Sequence, residues 1–135
     1  MNLPILYSFR RCPYAMRARM ALILASKNCE LREITLKNKP DEMLKISAKG
    51  TVPVLELRNK VLEESLDIIS WAMQSHPDNV YIFSAKEKLM SETLIHLFDS
   101  KFKYHLDRYK YAFRYKADSF NHQEQCKSIL EKLDT

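Results

Sequence analysis

Over residues 3–75 short apolar runs alternate with helical patterns, and from Ser84 onward only the helical pattern recurs. Residues 3–9 read as a short buried strand. Residues 13–27 read as a helix with apolar positions Met16, Met20, Leu22, Ile23 and Leu24. Glu30 to Leu36 alternates, with Leu31, Ile34 and Leu36 set among Arg32, Glu33 and Thr35, and predicts a second strand. Asp41 is placed to cap a short helix running through Ile46, which Lys49-Gly50-Thr51 ends with the chain's one glycine. Val52 to Leu57 is a strand with proline at its entry, and Arg58-Asn59-Lys60 turns it into Val61-Leu62 as a hairpin. Ser65 then opens a helix that carries Leu66, Ile68, Ile69, Trp71, Ala72 and Met73. The order β-α-β-α-β-β-α makes residues 1–75 an α/β domain.

His76-Pro77-Asp78-Asn79 breaks the pattern, and residues 76–83 read as a linker. Beyond it Leu89, Met90, Leu94, Leu97, Phe98 and Phe102 recur at three- and four-residue spacing. A loop around Asp118 to Asn121 leads to a last helical segment with Cys126, Ile129, Leu130 and Leu133. Residues 84–135 are thus expected to be the opening helices of an all-α domain. Two apolar stripes do not close a core, so these helices are expected to pack on the first domain, on a partner subunit or on further chain, as in a truncated domain. One glycine in 135 residues agrees with a helix-rich fold joined by tight turns.

Hydrophobic content of 46% with 29% charged residues belongs to a soluble globular chain. The net charge of +5 sits mostly in residues 1–75, which hold 12 basic and 8 acidic residues against 10 and 9 in the remainder. A mild excess in that half suits a small anionic ligand better than a nucleic-acid track. No apolar run reaches membrane-spanning length, and no signal peptide is expected before Leu3. Three widely spaced cysteines, Cys12, Cys29 and Cys126, show no zinc-ligand pairing. Nor do His76, His96, His105 and His122, so no metal is expected. The expectation is a cytoplasmic protein with reduced thiols.

Cys12 stands in the turn between the first strand and the first helix, with Pro13 at the first helical position, where its missing N–H costs nothing. A thiol there faces unpaired N–H groups and the positive end of the helix dipole, both of which favour thiolate over thiol. Arg10, Arg11, Arg17 and Arg19 add positive charge nearby. Cys12 is therefore the candidate nucleophile.

Four signals follow in order: Cys12-Pro13-Tyr14-Ala15, Leu36-Lys37-Asn38-Lys39-Pro40, Gly50-Thr51-Val52-Pro53-Val54-Leu55 and Leu62-Glu63-Glu64-Ser65. With them the chain resembles the cytosolic glutathione transferases, most closely their omega-like, cysteine-containing branch, which shades into glutaredoxins. The resemblance implies a thioredoxin-like domain over residues 1–75, an all-helical C-terminal domain after it, and glutathione as co-substrate. It also implies a cis peptide at Val52-Pro53, leaving the Val52 N–H and C=O to pair with the cysteinyl backbone of glutathione as an added strand would. The alternative is a proline tolerated at a sheet edge.

Ser65, at a helix N-terminus, can bind the carboxylate of the γ-glutamyl end while Glu64 takes its ammonium. A plain serine N-cap with a dipole-complementary glutamate is the other reading. Lys39 matches the lysine that meets the glycyl carboxylate, or is simply solvated. Tyr14 flanks the thiol and shapes the acceptor pocket, or packs. Tyr7 and Ser8 stay open as hydroxyls that activate glutathione. Ala15 stands where a dithiol oxidoreductase has its resolving cysteine, so no local disulfide can form.

The run Lys101 to Lys116 interleaves bases with aromatic rings, as a nucleic-acid surface does. Similar runs in transferase-like chains favour a helix end and turn whose rings pack beside the cleft. Cys29 and Cys126 read as packing cysteines. The expected activity is glutathione-dependent thiol transfer through a single thiol, with a small-molecule or thiol/disulfide acceptor. The alternatives are conjugation of glutathione to electrophiles and a transferase-fold module without turnover. A homodimer is what the family implies.

Overall fold

The computed structural model describes residues 2–74, 83–115 and 120–134. The chain divides into two compact units, Met1–Ile82 and Phe83–Thr135. Residues 75–82 and 116–119, which hold most of the expected linker and part of the loop before the last helix, lie outside the described residues.

In the first unit β1 (Ile5–Ser8), α1 (Pro13–Leu24), β2 (Glu30–Glu33), α2 (Asp41–Ile46), β3 (Val54–Glu56), β4 (Val61–Leu62) and α3 (Ser65–Gln74) follow the expected order. The sheet runs β2-β1-β3-β4. β1 and β2 are parallel, with Ile5 opposite Glu30, and α1 is the crossover that a parallel pair requires. β3 lies antiparallel to β1, with Leu6 opposite Leu55, and pairs with β4 as a hairpin. Strand alternation splits the core by face. Leu6 and Leu55 pack with Ala18, Ala21, Leu22 and Ala25 of the α1 segment and with Ile68 and Ala72 of α3. Tyr7 and Val54 face the other way, onto Ile34 and Met43 of α2.

The buried face of α1 differs from the expected apolar positions. It consists of Ala15, Ala18, Ala21 and Leu22, whereas Met16, Met20, Ile23 and Leu24 are exposed. α1 packs closely along α3, and small side chains at three- and four-residue spacing permit that approach. The helix also ends at Leu24 rather than Lys27. Ser26 takes a left-handed φ of 55°, its N–H reaches the Ile23 carbonyl at 3.0 Å, and the Lys27 N–H reaches Leu22 at 2.9 Å. Those two bonds make a Schellman stop without glycine.

β2 is shorter than expected because the chain turns after it, with the Asn38 N–H on the Thr35 carbonyl at 3.0 Å. Ile34 is buried, while Leu31 and Leu36 are exposed at the sheet edge. α2 has the expected bounds, but Pro40 is its cap residue and Asp41 sits in the first turn. β3 begins at Val54, two residues later than expected, which leaves Val52 outside the ladder.

The second unit holds α4 (Ala85–Leu97), a π-helical turn (Phe98–Phe102), α5 (Lys103–Lys110), a single 3₁₀ turn (Ala112–Arg114) and α6 (His122–Leu133). His105, His122, Cys126 and Ile129 are buried, whereas Leu89 and Met90 of α4 are exposed. Ser84 and Glu87 form a reciprocal capping box: the Ser84 hydroxyl accepts from the Glu87 N–H at 3.2 Å, and the Glu87 carboxylate accepts from the Ser84 N–H at 2.7 Å. The backbone bond from Ser84, then its side chain, holds the Glu87 carboxyl below its ordinary value. The contribution of the box is therefore present above the ordinary carboxylate range and lost as pH falls through that lowered value. Ser84→Ala is expected to cost the start of α4 about 1 kcal/mol, read as faster amide exchange in its first turn. It is expected to weaken this pH dependence only in part, because the N–H of residue 84 still donates to the Glu87 carboxylate.

Candidate functional site

Cys12 occupies the cap position of α1 in extended conformation, and its carbonyl accepts from the Met16 N–H at 2.9 Å. Its thiol does not cap the helix. It points across the unit and donates to the Val52 carbonyl at 3.7 Å. The loop that carries it is fastened from α1. Arg19 donates to the buried Ser8 hydroxyl at 2.6 Å, to the Phe9 carbonyl at 3.3 Å and to the Arg10 carbonyl at 2.9 Å. The Arg10 N–H adds a bond to the Glu33 carboxylate at 2.6 Å, and the Cys12 N–H closes a turn on Phe9 at 3.0 Å. Arg19, expected as charge around the thiol, is thus engaged in fixed bonds.

The Val52-Pro53 peptide is cis and Pro53 is buried. The Val52 N–H has no partner among the described residues. A backbone donor, a backbone acceptor and a thiol therefore meet at one place. Gly50, just before it, has φ 64°, and a Cβ there would sit 3.3 Å from Leu44 and 3.4 Å from the Lys39 ammonium. Lys39 lies over this turn, half-buried, and makes no hydrogen bond or ion pair among the described residues.

Glu64, rather than Ser65, is the cap residue of α3, because its carbonyl accepts the first helical bond from the Ile68 N–H at 3.1 Å. Ser65 is buried in the first turn, and its hydroxyl oxygen accepts from the Arg17 Nε at 2.9 Å. That is not the bond of a serine N-cap. The Glu64 carboxylate is exposed and pairs with the Lys49 ammonium, while Glu63 accepts from the buried Ser47 hydroxyl at 2.6 Å. These two bonds tie the turn before Val52 to the turn before α3.

Cys12, Val52, Pro53, Glu64 and Ser65 all belong to this first unit: Cys12 follows β1, Val52 and Pro53 precede β3, Glu64 follows β4 and Ser65 opens α3. The Tyr14 ring carries the Arg17 guanidinium 5.1 Å from its centroid. Tyr7 and Ser8 are both buried, and the Tyr7 hydroxyl accepts from Arg32 at 3.3 Å and the Ser8 hydroxyl from Arg19. Sequence reading named Arg17 and Arg19 only as charge near the thiol and did not assign Lys49 to the site. Burial pushes the thiols of Cys29 and Cys126 up, away from reactivity.

In the second unit the interleaved bases and rings stack on one another. Arg108 lies 3.6 Å from the Tyr104 ring centroid and 4.5 Å from that of Tyr115, and Arg114 lies 4.5 Å from that of Tyr111. His105 and His122 meet through their Nδ1 atoms at 2.8 Å. Among the described residues, no three His, Cys, Asp or Glu side chains gather as metal ligands, and no helix is long and apolar enough to cross a membrane.

Residues 6–80 match the family model described as the N-terminal domain of glutathione S-transferase. A maleylacetoacetate isomerase of Dictyostelium discoideum is 30% identical over 58% of this chain and 38% of its own length. Glutathione S-transferase omega-1 of Rattus norvegicus is 34% identical over 53% of this chain and 30% of its own length. The matched stretch thus spans only 30% to 38% of these relatives' own length. Among solved structures, the Tau class glutathione S-transferase of mango, Mangifera indica, superposes with a TM-score of 0.76. It does so over 96% of this chain and 58% of its own, at 23% identity. That likeness gives the fold: a thioredoxin-like domain followed by helices.

Proposed function

Because the chain belongs to the glutathione S-transferase family, we propose that it is a glutathione-dependent thiol transferase that works through Cys12 alone. The observation that carries this reading is the thiol of Cys12 beside the backbone of Val52, at 3.7 Å from its carbonyl. A cysteinyl residue paired with the Val52 N–H and C=O, as a strand added to the sheet, brings its sulfur next to Cys12. Glu64 takes the γ-glutamyl ammonium in exchange for Lys49, Ser65 takes the carboxylate at the start of α3, and Lys39 meets the glycyl carboxylate. Tyr14 and Pro53 shape the wall around the thiol.

The Cys12 thiolate attacks the glutathione sulfur of a mixed disulfide. A Cys12–glutathione bond forms, the acceptor's sulfur–sulfur bond breaks, and the acceptor leaves as a thiolate that takes up a proton. A second glutathione thiolate attacks the glutathione sulfur held on Cys12. Oxidised glutathione departs and the Cys12 thiolate returns. Ala15 supports this route, since α1 offers no neighbouring thiol to intercept the adduct.

The test is reduction of a mixed disulfide between glutathione and a small thiol, with glutathione in excess and oxidised glutathione followed as product. Turnover with ping-pong kinetics and a trapped Cys12–glutathione adduct of the expected mass is the outcome expected. A chain that binds glutathione yet forms no adduct overturns the proposal.

A further inference from the structure

Arg17 reaches from α1 to the first turn of α3, where its Nε donates to the Ser65 hydroxyl at 2.9 Å. A serine hydroxyl has one proton to give and two lone pairs. With a lone pair committed to Arg17, its single proton is left for another acceptor, and none is present among the described residues. Ser65 is buried, at 3% exposure. The bond is charge-assisted, so the guanidinium also polarises the O–H and makes it a stronger donor. Arg17 is itself held: Tyr14 lies one turn earlier on the same helix face and carries the guanidinium on its ring, at 5.1 Å from the centroid. A lysine in its place lacks the planar fork that fixes this geometry.

The acidic surroundings need such a device. The two residues before Ser65 are Glu63 and Glu64, whose carboxylates repel an incoming anion. Glu63 is engaged by Ser47 and Glu64 by Lys49, but neither bond supplies a donor at Ser65. We infer that Arg17 is a positioning residue that turns the Ser65 hydroxyl outward and charges it, so that this corner selects a ligand with an α-carboxylate beside its ammonium. The inference rests on the proposed glutathione site and assigns its selectivity at the γ-glutamyl end to Arg17.

The test compares glutathione with its analogue lacking only the γ-glutamyl α-carboxylate, by calorimetry on the full chain, Arg17→Met and Arg17→Lys. The unaltered chain is expected to prefer glutathione by about a hundredfold, and Arg17→Met to cut that preference by about tenfold or more. Arg17→Lys, which keeps the charge and loses the fork, is expected to fall between them. The preference is a ratio measured on the same folded molecules, so a purely structural loss leaves it unmoved. An unchanged ratio in both variants, or in Arg17→Lys if Arg17→Met does not fold, overturns the role of Arg17 alone. An unaltered chain that binds neither ligand overturns the glutathione site and the inference with it.

Discussion

Cys12→Ser is expected to lower the rate of mixed-disulfide reduction by about a thousandfold or more, the scale on which removal of a covalent nucleophile acts. The substitution is close to isosteric, and the contact it gives up is the long bond by which the thiol meets the Val52 carbonyl at 3.7 Å. The stability of the first unit is therefore expected to change by less than about 1 kcal/mol. Glutathione affinity is expected to hold within a few fold, because the groups proposed to bind it, Val52, Glu64 and Ser65, are untouched. That combination separates chemistry from binding. Conjugation of glutathione to a model electrophile, measured on the same variant, separates the two enzyme readings. Conjugation that survives with thiol transfer lost assigns to Cys12 the exchange step alone. Thiol transfer that persists in the variant sinks the proposal, since neither Cys29 nor Cys126, both pushed up by burial, is built to replace it.

The parts of this fold legible in the sequence are those encoded by neighbours along the chain. The order of strands and helices through Gln74 follows from period and turn residues, and α2 has the bounds that Lys37 to Thr51 suggest. The candidate site rests on signals of the same kind. Cys12-Pro13, Val52-Pro53 and Glu64-Ser65 are each local signals at the end of a strand or the start of a helix. What period cannot supply is the choice of face when a helix is apolar all round. α1 offers both Met16, Met20 and Ile23 and Ala15, Ala18 and Ala21, and close packing on α3 selects the alanines. Polar pairs between distant segments were equally hidden. Arg17 and Ser65 are 48 residues apart and Ser47 and Glu63 are 16 apart, and no local pattern announces either pair. The end of β2 was missed because Leu36, which continued the alternation, lies inside a turn closed by Thr35 and Asn38.

Arg19 shows how such a hidden contact bears on function. Its guanidinium satisfies the Ser8 hydroxyl and two carbonyls of the loop that ends in Cys12. Ser8 is fully buried, so water cannot replace the lost donor there, whereas the Arg10 carbonyl lies at the exposed end. Methionine keeps the packing of the arginine stem and removes the donors. Arg19→Met is therefore expected to cost about 2 to 4 kcal/mol of unfolding free energy, most of it from the orphaned Ser8 hydroxyl and the Phe9 carbonyl. The asymmetry of buried hydrogen bonds supplies a sharper check. Ser8→Ala removes the orphan together with its bond, so the double variant is expected to cost less than the two single costs combined. The same loop sets the thiol against Val52, so turnover by Arg19→Met is expected to fall about tenfold under conditions where the variant is fully folded, with glutathione affinity less affected. Denaturant unfolding of the three variants checks the first expectation, and initial rates at saturating glutathione check the second. Additive costs, or unchanged turnover in a destabilised Arg19→Met, remove Arg19 from the placement of Cys12.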